Sequence, residues 1–417
     1  MAFSRQLVLR RQHRLLQLLS VAGAAVAAVA PPRLSQLVTL EAYDKAKRRA
    51  VSEKYSDSLP LADFLKCGGL LPTEQEEEPV QIIDVRAPCE FAKGHIPGAI
   101  NLPLFSDDGR AEVGTLYKQA GHDAAVSRGL EIVDKSWQSM LDEAPDQLLE
   151  RGEVLVYCKR GGMRSGSVAW LLSQAPGLRA RTLQGGYAAF RHWVLEEVWE
   201  QHEAPLVVLG GRTGSGKTDV LHALRDGHSA QIIDLEGNAN HRGSAFGALG
   251  LPPQPAQQCY ENGLALEWAA LDTDRPTFIE DEGAHVGSCG VPQGLWAHMR
   301  APHTPVLRLE IPREARVARL VREYGPHGVD RLGKAVSALA KRLGAERTEE
   351  LLDHLAAEPP RLAEVADALL THYYDALYDS KAAKRAEVSD VVRDLVCDTG
   401  DASAIAPLIL DAAEKLK

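Results

Sequence analysis

The sequence predicts an α/β protein made of two parallel-sheet domains, the second followed by a helical C-terminal part. Three observations carry that expectation. The apolar run Val154 to Tyr157 leads into a glycine loop opened by Cys158, then into a helix starting near Ser165. A second apolar run, Leu206 to Leu209, leads into a phosphate-loop pattern and a helix over Asp219 to Arg225. Between them, Val194 to Pro205 reads as a charged linker at the end of a long helix. Short, continuously apolar runs of this kind suit strands buried on both faces.

The 417 residues fit two or three domains. Hydrophobic and charged fractions of 45% and 25% are ordinary for a globular chain. A net charge of −10 gives no general attraction to polyanions, so any nucleic acid must be held by a local patch. The cysteines (Cys67, Cys89, Cys158, Cys259, Cys289, Cys397) are scattered, with no C-x-x-C pair, which argues against a disulfide framework or zinc site and for a reducing compartment.

Residues 1–40 hold Arg5, Arg10, Arg11, Arg14 and Arg33 and no acidic residue, the pattern of an organellar transit peptide. Its removal would leave the protein in a mitochondrial matrix or plastid stroma; a cytoplasmic location is the alternative. Leu15 to Ala30 could instead be a signal-peptide core or a weak membrane span, though it is short and Ala-rich for a span, and nothing later resembles one. Residues 41–78 read as a charged connector with one helix near Leu61 to Leu65. The first domain is expected over 79–200 and the second, with its C-terminal helices, over 201–417.

Order in the first domain begins with the strand Val80 to Val85 and reaches its chemistry at Cys158. Lys159, Arg160 and Arg164 follow within six residues, and Gly161 and Gly162 can turn successive N–H groups towards one anion. The next helix aims its positive end at the same place. A thiol there should lose its proton easily, because positive surroundings favour thiolate. A buried structural cysteine would not account for the three cations.

In the second domain Gly211-Arg212-Thr213-Gly214-Ser215-Gly216-Lys217-Thr218 matches G-x-x-x-x-G-K-[ST] between a strand and a helix. Gly211, Gly214, Ser215 and Gly216 supply backbone for a di- or triphosphate, Lys217 a point charge, and Thr218 a hydroxyl for a magnesium ion. The next strand ends at Asp234 and Glu236, and a later one at Glu280, Asp281 and Glu282, one of which would organise magnesium or a water. The intervening segment Gly237 to Ser244, with Asn240, His241 and Arg242, reads as an irregular ligand-contacting loop. Pro305 to Ile311 is expected to be the last strand. Arg300 to Arg347 carries eleven Lys/Arg against five Asp/Glu, the best local candidate for a phosphate-backbone surface.

The sequence Asp84-Val85-Arg86, Glu90-Phe91, Gly94-His95-Ile96-Pro97-Gly98-Ala99, the Cys158 loop and Leu183-Gln184-Gly185-Gly186-Tyr187 together resemble a rhodanese-like domain. Five residues separate Cys158 from Arg164, one more than in simple sulfurtransferases; this longer loop resembles the phosphatase branch and suits phosphate- or selenophosphate-sized anions. A phosphatase would also need a general acid, and the sequence singles out none. Joined to the phosphate-loop domain, these residues resemble the tRNA 2-selenouridine synthase family over about 80–380. Further matching motifs are Arg110 to Gly114 with Tyr117-Lys118, Asp234 to Gly237, Ala239 to Ser244, and Glu261-Asn262. In a last motif, Glu280 to Glu282 with Val286-Gly287, Gly283 stands where a serine is expected.

The resemblance implies replacement of sulfur by selenium at wobble 2-thiouridine of certain tRNAs. Selenophosphate, from a supplying partner, would give the selenium, and geranyl diphosphate would first alkylate the sulfur, making it a better leaving group. Cys158 would carry or relay the chalcogen. No organic prosthetic group is implied, and the phosphate loop is expected to hold the prenyl diphosphate with Mg2+. Two competing readings are a sulfurtransferase or Cys-dependent phosphatase fused to a P-loop kinase, and a non-catalytic tRNA- or nucleotide-binding regulator.

Overall fold

The computed structural model describes residues 33–74, 78–145, 147–387 and 391–416. The expected transit peptide lies almost wholly outside the described residues. The first sheet contains β1 (Ser58–Leu59), β2 (Gln81–Asp84), β3 (Ile100–Asn101), β4 (Glu153–Tyr157) and β5 (Arg179–Leu183). They lie in the order β1-β5-β4-β2-β3, all parallel. Val154 to Tyr157 of central β4 are buried, so Cys158 emerges at the carboxyl edge, where ligands gather in open parallel sheets.

The second sheet contains β6 (Leu206–Gly211), β7 (Gln231–Ile233) and β8 (Thr277–Glu280). A small antiparallel hairpin follows, β9 (His285–Val286) with β10 (Cys289–Gly290). The sheet is completed by β11 (Val306–Glu310) and β12 (Val392–Val396), in the order β12-β11-β6-β8-β7, again all parallel. Central β6 is buried throughout and delivers the phosphate loop to its carboxyl edge. The architecture is therefore the expected α/β pair, with helices covering both sheets.

Four local expectations are corrected. Residues 41–78 do not form a bare connector. Thr39 caps the helix Leu40–Ser52, whose Tyr43, Ala46 and Ala50 are buried, and Tyr43 stacks on Trp137 with ring centroids 4.5 Å apart. Ser58–Leu59 then adds an edge strand to the first sheet.

The charged linker is helical as far as Gln201, through a π turn at Trp193–Glu197, and it is not solvated throughout. Val194, Val198 and Trp199 are buried in one core with Tyr187 and Phe190 of the first domain and Tyr260, Leu264 and Trp268 of the second. The charges of the segment face outward, and its apolar residues join the two domains.

Strands do not end at Ile311. β12 pairs with β11 from Val306↔Val392 to Glu310↔Val396, reinforced by Arg308–Asp394 at 2.5 Å. An outer-edge strand buried on few sides needs little apolar patterning, and Val396 is 78% exposed. Gly237 to Ser244 begins inside the helix Leu235–Ala239, because Asp234 caps it by accepting from Gly237 N. Asn240, in the left-handed region at φ 49°, ends that helix.

Candidate active site

Cys158 is only 3% exposed, and its Sγ lies 3.2 Å from Ser165 Oγ. The loop is held from behind by the turn after β5: Tyr187 N donates to Cys158 O at 2.8 Å and Ala188 N to Lys159 O at 2.9 Å. Gly161 and Gly186 both have left-handed φ, at 63° and 58°, and their Cα atoms face each other's backbone so closely that a Cβ on either would collide with it. The Gly185-Gly186-Tyr187 motif thus shapes the nucleophile loop from behind.

Asp84 and Arg86 form a buried pair at 2.6 Å. Arg86 also donates to Gly94 O and lies over the Tyr187 ring, 3.8 Å from its centroid. That arginine is consumed by the scaffold. Lys159 and Arg160 are exposed at the loop surface. Partial desolvation by the loop and the nearby charges of Arg86, Arg160 and Arg164 lower the Lys159 ammonium below its usual range, despite Glu90. Arg164 is oriented by Glu90, Nη1 to Oε2 2.8 Å, and Arg110 reaches the same oxygen at 3.3 Å. Burial pushes the Glu90 carboxyl up, but Arg164 and then Arg110 outweigh it and hold it below the usual carboxylate range.

Beside this loop opens a cleft of about 820 Å³. Its walls are apolar, with Leu104, Phe105, Val113, Val133 and Leu171, while Lys47, Arg110, Lys118 and Arg160 also line it. Tyr117 and Met163 are large exposed apolar side chains within the same lining.

In the second domain Gly214 and Gly216 take φ of 81° and 80°, and Gly211 φ of 153°. A Cβ on Gly216 would strike the Arg319 guanidinium, and one on Gly211 would strike Ser215. Lys217 Nζ donates to Gly211 O at 3.3 Å, so the ammonium folds back over the loop it serves. Ser215 Oγ is buried without a protein partner among the described residues. Thr218 Oγ1 donates to Glu236 Oε2 at 2.9 Å.

The strand-end carboxylates converge here. Burial first, and then Glu282, push the Glu236 carboxyl up to about 8. Glu280 is wholly buried; burial and the charges of Asp234 and Glu236 raise it strongly. Its Oε2 accepts from Leu235 N at 3.0 Å, while Oε1 has no partner among the described residues. Asp234 is held low, because His222 at 2.7 Å outweighs its burial. Asp281 is clamped by Arg300 at 2.9 Å and Arg385 at 3.1 Å.

Except for Ser215 and Glu280, which are buried behind it, these groups line one cavity of about 1240 Å³. Gly211, Gly214, Gly216, Lys217, Thr218, Asp234, Glu236, Asn240, Arg242 and Glu282 of the expected residues take part. His241 does not; its ring packs on Gly247, and burial lowers its basicity. Arg242 is held by Glu323 at 2.5 Å. Glu261 lies elsewhere, at the seam between domains, in an ion pair with Arg191. Beside it, Asn262 donates to His95 O at 2.7 Å and accepts from Arg191 at 2.5 Å. Residues not singled out from sequence that line the cavity are His222, Tyr378 and Arg385, while Arg300 and Arg319, expected in a phosphate-backbone surface, line it too. No short motif contains them.

The cavity has two characters. Away from the phosphate loop its wall is largely apolar, with Phe246, Leu332, Leu339, Val365 and Leu369 beside Arg342 and Tyr373. The basic surplus over 300–347 is largely spent internally: Arg300, Arg308, Arg313, Arg316 and Arg319 are all in ion pairs with aspartates. Arg322, Arg331, Lys334, Lys341 and Arg347 remain exposed and without an ion pair among the described residues.

Fold and sites define a two-domain α/β protein in which a rhodanese-like cysteine loop is fused to a P-loop domain. A profile for the rhodanese-like domain matches residues 70–192, and one for the tRNA 2-selenouridine synthase AAA domain matches 204–398. The chain belongs to the tRNA 2-selenouridine synthase family. One such synthase, from Pseudomonas putida F1, is 37% identical over 354 residues, spanning 76% of this chain and 92% of its own. Another, from Bordetella bronchiseptica, is 38% identical over 347 residues, spanning 73% and 89%. A third, from Salmonella arizonae, is 37% identical over 341 residues, spanning 73% and 90%.

Proposed function

We propose that this protein replaces sulfur by selenium at wobble 2-thiouridine in tRNA, with selenophosphate as donor and an S-geranyl nucleoside as intermediate. The observation that carries the reading is the composite cavity of the second domain, a phosphate cradle continuous with an apolar wall. A prenyl diphosphate has that distribution of charge and hydrocarbon. A nucleoside triphosphate would place a polar base and ribose against the same leucines and valines.

In the first half-reaction the thiouridine sulfur attacks the prenyl carbon, the C–O bond breaks, and diphosphate departs. Lys217 and the loop N–H groups would receive the charge developing on it. Magnesium fits this site. Thr218 Oγ1 and the Glu236 carboxylate are adjacent hard oxygen donors, and Glu282 brings a second carboxylate to the same cavity wall. Among the described residues no three His, Cys, Asp or Glu are arranged to hold a metal alone, so diphosphate oxygens would complete its shell. When bound, it would offset charge on the leaving diphosphate.

In the second half-reaction the alkylated base meets the Cys158 loop. Its apolar tail would enter the cleft between Val113, Val133 and Leu171, while Arg160 and Arg164 hold selenophosphate. Exposed Arg322, Arg331, Lys334 and Lys341 would carry tRNA phosphates. Organellar import through residues 1–40 belongs to the same proposal, rests on sequence alone, and is tested by locating a fluorescent fusion.

A ligand-dependent thermal shift tests the central step. Geranyl diphosphate with Mg2+ should stabilise the protein more than ATP or ADP with Mg2+ at equal concentration. Preference for ATP would favour the kinase reading.

A further inference from the structure

We propose that Cys158 accepts the phosphoryl group of selenophosphate rather than its selenium, so that phosphocysteine is the covalent intermediate and hydroselenide is released beside the alkylated base. This rests on the reading that selenophosphate is the donor.

Electron counting separates the two routes. If the Cys158 thiolate took selenium itself, the P–Se bond would break with its electron pair left on phosphorus, giving phosphite. Reaching phosphate would require a two-electron oxidant, which the reaction does not supply. Attack at phosphorus balances without one. An S–P bond forms, the P–Se bond breaks, and its electron pair leaves with selenium as hydroselenide. Hydroselenide adds to C2 of the base, and the C2–S bond breaks with its pair leaving on sulfur. The selenide proton ends on N3. Water then cleaves the S–P bond to give phosphate, and the proton released is taken by the departing alkyl thiolate.

The loop has the parts for this step. Five residues separate Cys158 from Arg164, enough backbone to encircle a tetrahedral anion above the sulfur. Arg164 is fixed by Glu90 at 2.8 Å, presenting an oriented guanidinium to such an anion. Ser165 Oγ lies 3.2 Å from both Sγ and Gly162 O, so its proton can turn from the carbonyl to the thiolate as that leaves phosphorus during hydrolysis.

The site also lacks what a phosphate-ester reaction needs. Among the described residues lining the cleft, Glu90 is the only carboxylate, and Arg164 and Arg110 keep it ionised. His122 is exposed, with its ring turned to Asp123. An alkoxide leaving group requires a proton from such a group. Hydroselenide, the conjugate base of a much stronger acid than an alcohol, leaves without one. The loop is therefore suited to P–Se rather than P–O cleavage.

The test uses the full-length protein and selenophosphate alone, labelled with radioactive phosphorus in one batch and radioactive selenium in another, followed by rapid denaturing quench. Phosphorus should stay on the protein, fall to background in Cys158→Ala, and rise several-fold in Ser165→Ala, whose phosphoenzyme breaks down slowly. Selenium should be recovered free. Selenium retained on Cys158 without phosphorus would overturn the proposal. So would an absence of bound phosphorus at every quench time while a parallel sample selenates tRNA. If neither label binds and tRNA is not selenated, the donor reading falls and takes this proposal with it.

Discussion

Arg164 Nη1 lies 2.8 Å from Glu90 Oε2, so the guanidinium that closes the Cys158 loop is aimed by a carboxylate 74 residues earlier in the chain. The pair is partly buried and shares its carboxylate with Arg110. It holds a flexible arginine in one orientation at the carboxyl edge of β4.

Glu90→Gln should therefore destabilise the protein by about 1 kcal/mol near neutral pH, the upper range for a partly exposed pair. The folded carboxyl titrates below its unfolded value. Its stabilisation is then complete above the unfolded pKa of about 4.3 and is lost as pH falls through the lower folded value. Thermal melts of both proteins across pH should diverge at neutrality and converge in acid. A constant difference at all pH would contradict the assignment.

Lys217→Ala should lower geranylation of thiolated tRNA by roughly 100-fold, the loss typical of removing one preorganised charge contact. Selenation of tRNA supplied already geranylated should be nearly unchanged. The two half-reactions, assayed separately, check this. Lost selenation with normal geranylation would place the phosphate loop in the wrong step.

The Glu236 carboxyl, raised to about 8, binds a proton in the folded chain that the unfolded chain releases near pH 4.3. Stability of the magnesium-free protein should fall as pH rises between those values. Mg2+ with inorganic diphosphate should restore it, and Glu236→Gln should flatten the profile. Melting temperatures measured from pH 5 to 9 decide the matter.

Asn262 is fully buried and ties His95 O, the Tyr187 hydroxyl and Arg191 together across the domain seam. Asn262→Ala leaves these groups unpaired and should cost roughly 1–3 kcal/mol. Geranyl diphosphate affinity should be unchanged, because the residue touches no part of the cavity. Calorimetric melting together with ligand titration separates the two effects.

Arg331→Glu with Lys334→Glu should weaken tRNA binding uniformly across sequences and reduce the salt slope by roughly one for each phosphate contact removed. Filter binding at several salt concentrations measures it. An unchanged slope would exclude this face from the RNA interface.

Both nucleophile loop and phosphate loop were legible in the sequence because each is contiguous: strand, glycines, charged side chain and helix follow one another within a dozen residues. Contacts that close over long separations were not. Glu90 is an ordinary exposed-looking glutamate until Arg164 arrives from the other side of β4. Arg300 and Arg385 look like surface charge in sequence, yet both are spent on Asp281. Glu261-Asn262 matched a family motif, but only the fold shows it working at the seam between domains, away from the cavity. The helix Leu40–Ser52 was obscured by its charges, since its buried face is only Tyr43, Ala46 and Ala50.

The most direct measurement is mass spectrometry of nucleosides from thiolated tRNA incubated with the protein, geranyl diphosphate, Mg2+ and selenophosphate. The account predicts S-geranyl-2-thiouridine accumulating when selenophosphate is withheld and 2-selenouridine appearing once it is added. Unchanged 2-thiouridine under both conditions, with active protein confirmed by ligand-induced stabilisation, would contradict it.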